Sequence, residues 1–147
     1  MATMIELVCS SASMQLRFPM RTLTLPLRSD VLLTQPITPY QLEKAIEIVE
    51  EVIMPLYKQL PTDFTLITYD AEIKLLPMLL VHSAQKTGFI MVDEVEWVFN
   101  QLAEIVSGSP ANQYQLPNTA SFATKLLVVR EMMHHWGVTQ LQLGHAE

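Results

Sequence analysis

Charged residues are scarce in this chain of 147 residues: they make up 16% of it, against about 25% in ordinary globular domains. The nine Lys and Arg residues are scattered singly along a chain whose net charge is −6. Because nucleic-acid phosphates select clustered cations, we expect no nucleic-acid partner. The sequence also has no run of about eighteen uncharged apolar residues, so we expect no membrane span.

Cysteine and glycine are rare as well. Cys9 is the single cysteine, so no disulfide can form within the chain, and we expect a reducing, cytoplasmic location. The four glycines fall into no phosphate-cradling motif. The segment Ser107-Gly108-Ser109 is typical of a turn that ends a helix, not of a strained nucleophile elbow. These absences disfavour an enzyme without excluding one.

Apolar residues, in contrast, are abundant. They make up 50% of the chain, which includes nine methionines. A chain of this length can form one domain with its own core, and we treat residues 1–147 as a single domain. Its apolar content exceeds what we expect one monomer to bury, which predicts a homo-oligomer, most simply a dimer, or a bound protein partner.

Helical periodicity dominates the sequence between residues 38 and 136. Thr38 and Pro39 begin a first helix, in which Gln41 completes a capping box. A second helix is expected from Asp70 to Gly88, bent at Pro77. A third helix begins at Asp93 as its cap and ends at Gly108, and Asn118 caps a fourth that ends at Gly137.

These helices predict a mainly α protein, a four-helix bundle-like domain over residues 38–136 with a short β-like segment before it, in residues 1–36, and a tail over 138–147. In the N-terminal segment, Met14, Leu16 and Phe18 alternate with polar residues, as in a strand. Its Arg and Ser content also resembles a transit peptide, which we disfavour. Whether residues 1–36 fold with the bundle, and whether residues 62–70 form a strand or a helix, stays open.

The last helix has more apolar surface than a single buried face requires. At about 100° per residue, one face is complete without Val128 and Met132, which form a second. This helix is therefore either central in the bundle or the carrier of an interface. The candidate interface residues are Leu127, Val128, Met132, Trp136 and, on the third helix, the acid-flanked Trp97.

Clustered acids offer a metal-dependent alternative. Glu131 and His134 have the Glu-x-x-His spacing of carboxylate-bridged metal bundles. Carboxylates crowded on one helix are suited to Mg²⁺, as in an all-α hydrolase of the nucleotide pyrophosphohydrolase type. A solvated acidic face accounts for the same pattern. The acids on the first helix are Glu43, Glu47, Glu50 and Glu51.

We therefore predict a small non-enzymatic interaction or regulatory protein with no cofactor, which homo-oligomerises or binds a protein partner through an apolar helix face. The Mg²⁺-dependent hydrolase is the alternative. A carrier of an apolar small ligand is a weaker one.

Overall fold

The computed structural model describes residues 2–10, 12–28, 32–80, 88–110 and 114–145. A six-stranded mixed sheet runs through it, so the prediction of a mainly α four-helix bundle is wrong. The strands are β1 (Thr3–Cys9), β2 (Met14–Arg17), β3 (Thr22–Leu25), β4 (Phe64–Thr68), β5 (Phe89–Met91) and β6 (Gln140–Leu143). The α-helices are α1 (Pro39–Ile53), α2 (Val92–Val106) and α3 (Ala120–Trp136), and short 3₁₀ helices span Pro55–Gln59 and Ile73–Leu79.

The sheet has the strand order β3-β2-β1-β4-β6-β5. Strands β1, β4 and β6 are mutually parallel, whereas β2, β3 and β5 each run antiparallel to their neighbours. The carboxyl ends of the three parallel strands therefore meet at one edge of the sheet, at Cys9, Thr68 and Leu143.

The N-terminal segment folds with the rest of the chain. The alternation that predicted strands is confirmed, because Leu16 lies opposite Leu7 on one side and Leu23 on the other, all on one face. Residues 62–70 include strand β4, which pairs along its whole length with β1. The sequence between them forms β2, β3, α1 and a 3₁₀ helix, so the paired residues are about sixty positions apart. Local periodicity carries no signal for a pairing over such a separation.

The helix termini follow the predicted chemistry with small shifts. The Gln41 amide donates to the Thr38 hydroxyl at 3.1 Å, as expected of the cap of α1, but the Gln41 side chain accepts from Thr34 instead. Helix α2 begins one residue before Asp93, and α3 is capped by Thr119 rather than Asn118. Of the bent helix expected over residues 70–88, the structure has the 3₁₀ turn Ile73–Leu79, while residues 81–87 lie outside the described ranges.

Helix α3 is the central helix. It contacts α1, α2 and the 3₁₀ helix Ile73–Leu79, and it shares one hydrophobic core with the sheet. Both of its apolar faces are covered within the chain, which is why it needs so little polar surface. The buried side chains include Leu127, Val128, Met132 and Trp136. None of the helices in the described ranges combines the length and the hydropathy of a membrane-spanning segment.

Candidate functional site

The carboxyl ends of β1 and β4 form the switch point of the sheet. Strands β1 and β4 are neighbours in the middle of the sheet. After β1 the chain continues to β2 on one side of this pair, and β6 lies beside β4 on the other side. In open α/β sheets, ligands bind in the crevice beyond such a point because the diverging connections leave space there. The segments that surround it are the turn after Cys9 and the residues after Thr68.

The turn from β1 to β2 is built from serines. The Ser10 amide donates to the Ser13 carbonyl at 2.9 Å, and the Ser13 amide donates to the Ser10 hydroxyl at 3.2 Å. The Ser10 hydroxyl in turn donates to the Ser13 carbonyl at 2.9 Å. These bonds fix a compact turn whose hydroxyl groups lie at the exposed end of the strand.

Beyond β4, three charged side chains form what we call the strand-end cluster: Asp70, Glu72 and Lys125. The Lys125 ammonium group lies 2.9 Å from Oδ1 of Asp70 and 2.8 Å from Oε1 of Glu72. Lys125 comes from α3 and the two acids come from the segment after β4. The cluster therefore ties the central helix to the carboxyl end of a central strand.

Every carboxylate oxygen of the strand-end cluster is already bonded. Oδ2 of Asp70 accepts from two backbone amides at 3.1 Å, while Oε1 and Oε2 of Glu72 accept from Ser121 at 2.6 Å and Thr119 at 3.4 Å. The Lys125 ammonium supplies the positive charge. Because no carboxylate oxygen is free and a cation is in place, the cluster does not fit a Mg²⁺ ion.

The pKa values at this site follow from burial and ion pairing. Burial alone would raise the pKa of Glu72, but hydrogen bonds from Lys125 and Ser121 outweigh it and lower the pKa below 4.5. Burial would lower the pKa of Lys125, and its two acidic partners raise it instead. Burial, with the nearby Asp70 charge, raises the pKa of the Cys9 thiol to about 12, so this thiol is not a nucleophile.

A second group, which we call the helix cluster, consists of Glu50, Glu131 and His135. Nε2 of His135 lies 3.1 Å from Oε2 of Glu50 and 3.3 Å from Oε1 of Glu131. Glu50 comes from the last turn of α1, whereas Glu131 and His135 lie one turn apart on α3. The Glu131 side chain is only 2% exposed. Burial, followed by the hydrogen bond with Glu50, raises its pKa above 4.5 against the opposing charge of Arg130.

Arg130 anchors the helix cluster from the other side. Its Nη1 donates to Oε2 of Glu131 at 2.6 Å, and its Nε and Nη2 donate to Glu96 at 2.7 and 3.2 Å. The guanidinium group also lies over the Phe99 ring, 4.3 Å from the ring centre. The hydrogen bond from Arg130, with only partial opposition from burial, lowers the pKa of Glu96.

The structure brings together two of the six residues predicted as metal ligands. Glu50 and Glu131 meet, but the third member of the group is His135, while His134 faces Glu96 at 3.4 Å. The other three acids of the prediction, Glu43, Glu47 and Glu51, are exposed on α1. The four-residue spacing from Glu131 to His135 was the sequence signal for this pair, since residues so spaced share a helix face.

The predicted interface residues lie mainly inside the chain. Leu127, Val128 and Met132 are buried, and Trp136 donates its indole N–H to the Ile53 carbonyl at 3.0 Å. Trp97 alone of the five is well exposed, at 42%.

The strand-end cluster was missed by the sequence analysis. Acids that follow a buried parallel strand are the signal for such a site, but this signal depends on recognising residues 64–68 as a strand.

Several solved structures have a similar fold. The Aquifex aeolicus Ppx/GppA phosphatase, type II variant, matches with a TM-score of 0.74 and 12% identity over 97% of this chain and 53% of that chain. A structure of the Aquifex aeolicus member of the Ppx/GppA protein family matches with a TM-score of 0.71 and 12% identity, over 97% of this chain and 52% of that chain. An exopolyphosphatase from Cytophaga hutchinsonii matches with a TM-score of 0.69 and 10% identity, over 97% of this chain and 53% of that chain. Searches with the sequence match no protein-family model and no curated protein.

At these identities the likeness establishes the α/β fold, and this chain spans about half the length of the proteins it matches. The prediction of a non-enzymatic interaction protein is contradicted by this likeness, because the matched proteins are themselves described as phosphatases and an exopolyphosphatase. The apolar helix face expected to bind a partner is also covered within the chain. The hydrolase alternative agrees better with the fold, although not as a helical bundle.

Proposed function

We propose that this chain is a domain of a phosphatase that binds chains of phosphate groups at the carboxyl ends of β1 and β4 and hydrolyses their anhydride bonds. The observation that carries the proposal is the match of nearly the whole chain to Ppx/GppA phosphatases, which include an exopolyphosphatase. The switch point of the sheet supports the location, because ligands of open α/β sheets commonly bind beyond such a point.

The serine turn is the proposed contact for phosphate. The Ser13 hydroxyl can donate a hydrogen bond to a phosphate oxygen without adding charge, while the Ser10 hydroxyl, which donates to the Ser13 carbonyl, holds the turn. The adjacent strand-end cluster carries two acids and one base and is internally bonded, so it holds the end of β4 in place rather than binding the anion. Because this chain spans about half of the matched proteins, we propose that a further domain or a second copy of the chain completes the site.

A homo-oligomer therefore remains part of the proposal, through a surface other than the buried faces of α3. A reducing, cytoplasmic location also remains part of it, since the only thiol is largely buried and forms no disulfide.

The test is a titration of the purified chain with inorganic polyphosphate, followed by thermal unfolding and by release of inorganic phosphate. We expect polyphosphate to raise the melting temperature, because a ligand at a hundred times its Kd stabilises the native state by about 2.7 kcal/mol. Binding is the first measurement, since it does not require the rest of the site.

The variant Ser13→Asp places a negative charge in the turn and should abolish the polyphosphate-dependent shift. Thr22→Asp is the matched control, because Thr22 is exposed on β3 opposite Arg17, at the end of β2 that is remote from Ser13. The proposal fails if polyphosphate neither stabilises the chain nor is hydrolysed by it. It also fails if Ser13→Asp and Thr22→Asp respond to polyphosphate alike.

A further inference from the structure

We propose that the helix cluster of Glu50, Glu131 and His135 is a binding site for one transition-metal dication, with Zn²⁺ as the representative ion. The site is independent of the proposed phosphatase activity. It lies toward the carboxyl end of α3, whereas Lys125 of the strand-end cluster lies six residues earlier than Glu131 on the same helix, about 9 Å along its axis.

The spacing of the ligand atoms fits the ion. One ligand atom from each of the three side chains lies within 4.8 Å of the others. With Zn–N and Zn–O distances of about 2.0–2.2 Å in a tetrahedral site, ligand atoms lie about 3.3 Å apart. The His135 nitrogen is already 3.1 Å from the Glu50 oxygen and 3.3 Å from the Glu131 oxygen. An ion between them requires only small side-chain shifts, and water takes the fourth position.

Charge and donor type also favour such an ion. Glu50 and Glu131 together carry two negative charges when ionised, which a dication neutralises. Within the described residues, His135 is the basic group that contacts both carboxylates, while Arg130 contacts that of the almost fully buried Glu131. An imidazole ligand selects zinc and similar transition metals over Mg²⁺, which prefers oxygen ligands only.

The surroundings have the form of a supported metal site. Arg130 binds the Glu131 oxygen that does not face His135, and Glu96 neutralises Arg130 with two hydrogen bonds. Hydrogen bonds of this kind orient ligating carboxylates in known metal sites.

The test measures Zn²⁺ binding to the untagged, metal-free chain by calorimetry, with Co²⁺ absorption as a report of tetrahedral coordination. We expect one ion per chain, a higher melting temperature with Zn²⁺, and Kd values more than tenfold weaker in His135→Gln and in Glu50→Gln. Both residues are partly exposed, so these variants should fold, which circular dichroism checks.

The matched controls are His134→Gln and Glu51→Gln. Each changes a neighbour of the same type that lies outside the cluster, and each should bind Zn²⁺ as the unaltered chain does. The proposal is overturned if the chain does not bind one ion, if His135→Gln or Glu50→Gln binds with unchanged Kd, or if the controls lose affinity to the same extent. Ser13→Asp should leave Zn²⁺ binding intact, which separates this result from that of the proposed phosphatase.

Discussion

The strand-end cluster and the helix cluster contain similar types of charged side chain but differ in how those side chains are paired. Each has two carboxylates and one basic side chain, and each draws on α3. In the strand-end cluster, Lys125 lies between acids that also accept hydrogen bonds from hydroxyl groups and backbone amides, and the pKa of Glu72 is lowered. In the helix cluster, the carboxylates of Glu50 and Glu131 contact each other, and the pKa of Glu131 is raised.

The difference shows that side-chain types alone do not decide what a charged cluster does. A Lys ammonium is a permanent cation at neutral pH with three donors, which is enough for both acids. His135 shares one ring nitrogen between two acids. The first cluster is satisfied by the chain itself, and the second has a place for an added cation.

The largest expected effect concerns the reactivity of Cys9. Because the Cys9 thiol is buried near Asp70, its rate of alkylation reports how well solvent is excluded from the strand-end cluster. Since the thiol pKa is about 12 instead of 9.0, the thiolate fraction at pH 8 is about a thousandfold lower than in a free thiol. We expect iodoacetamide to alkylate Cys9 at a correspondingly low rate in the native chain. Rates in urea, where the chain is unfolded, serve as the control, and equal rates in both states would contradict the buried placement.

Removing the anchor of the helix cluster should cost more stability than any change at the strand end. Arg130→Met leaves the buried Glu131 carboxylate with one fewer cation and should reduce the free energy of unfolding by about 3 kcal/mol. Urea denaturation measures this loss. Lys58→Met, on an exposed 3₁₀ helix, is the control, and a loss in Arg130→Met no larger than in Lys58→Met would contradict the anchoring role of Arg130.

Lys125→Met tests the strand-end cluster in the same way. Two acids, of which Asp70 is 8% exposed, lose their shared cation, and we expect a loss of about 2 kcal/mol. Zn²⁺ should not recover it, because the carboxylates are held by other donors. Lys58→Met on the exposed 3₁₀ helix is the control and should change stability by less than about 0.5 kcal/mol. A loss in Lys125→Met as small as in the control would mean that the cluster is not structural.

The smallest effect is the pH dependence of Glu72. Since its pKa is lowered in the folded chain, its contribution to stability is present above pH 4.5 and is lost as the pH falls through the folded value. Glu72→Gln should therefore cost less than about 1 kcal/mol at pH 7, because the group is partly exposed and solvent screens its charge. The difference between the two chains should shrink below pH 4.5. A difference that grows with acidification would reverse the assigned direction.

Local structure was largely predictable because its causes are local. The Thr38 cap, the Leu-rich alternation before residue 28 and the Gly137 helix end are each set by a few neighbouring residues. The prediction of a helical bundle was wrong because three short strands were not recognised. Helical periodicity covers most of residues 38–136, whereas β4, β5 and β6 are only three to five residues long. Strands this short give too few alternations to be distinguished from loops.

The site was less predictable than the elements that carry it. Glu50 and His135 are 85 residues apart in sequence and meet through the packing of α1 on α3. Helical spacing places Glu131 and His135 on one face of α3, but it does not say which acid of α1 joins them. The same holds for Lys125 and Asp70, which are 55 residues apart.

The sequence by itself determined the three helices α1, α2 and α3, the N-terminal strands and the apolar excess of the last helix, since these depend on side-chain periodicity and capping within about one or two turns. Only the tertiary structure decided that this excess is covered within the chain, that β1 and β4 lie side by side, and that acids from distant segments form two different clusters. The reason is that strand pairing and helix packing join residues far apart in the chain, and those contacts leave no periodic trace in the sequence.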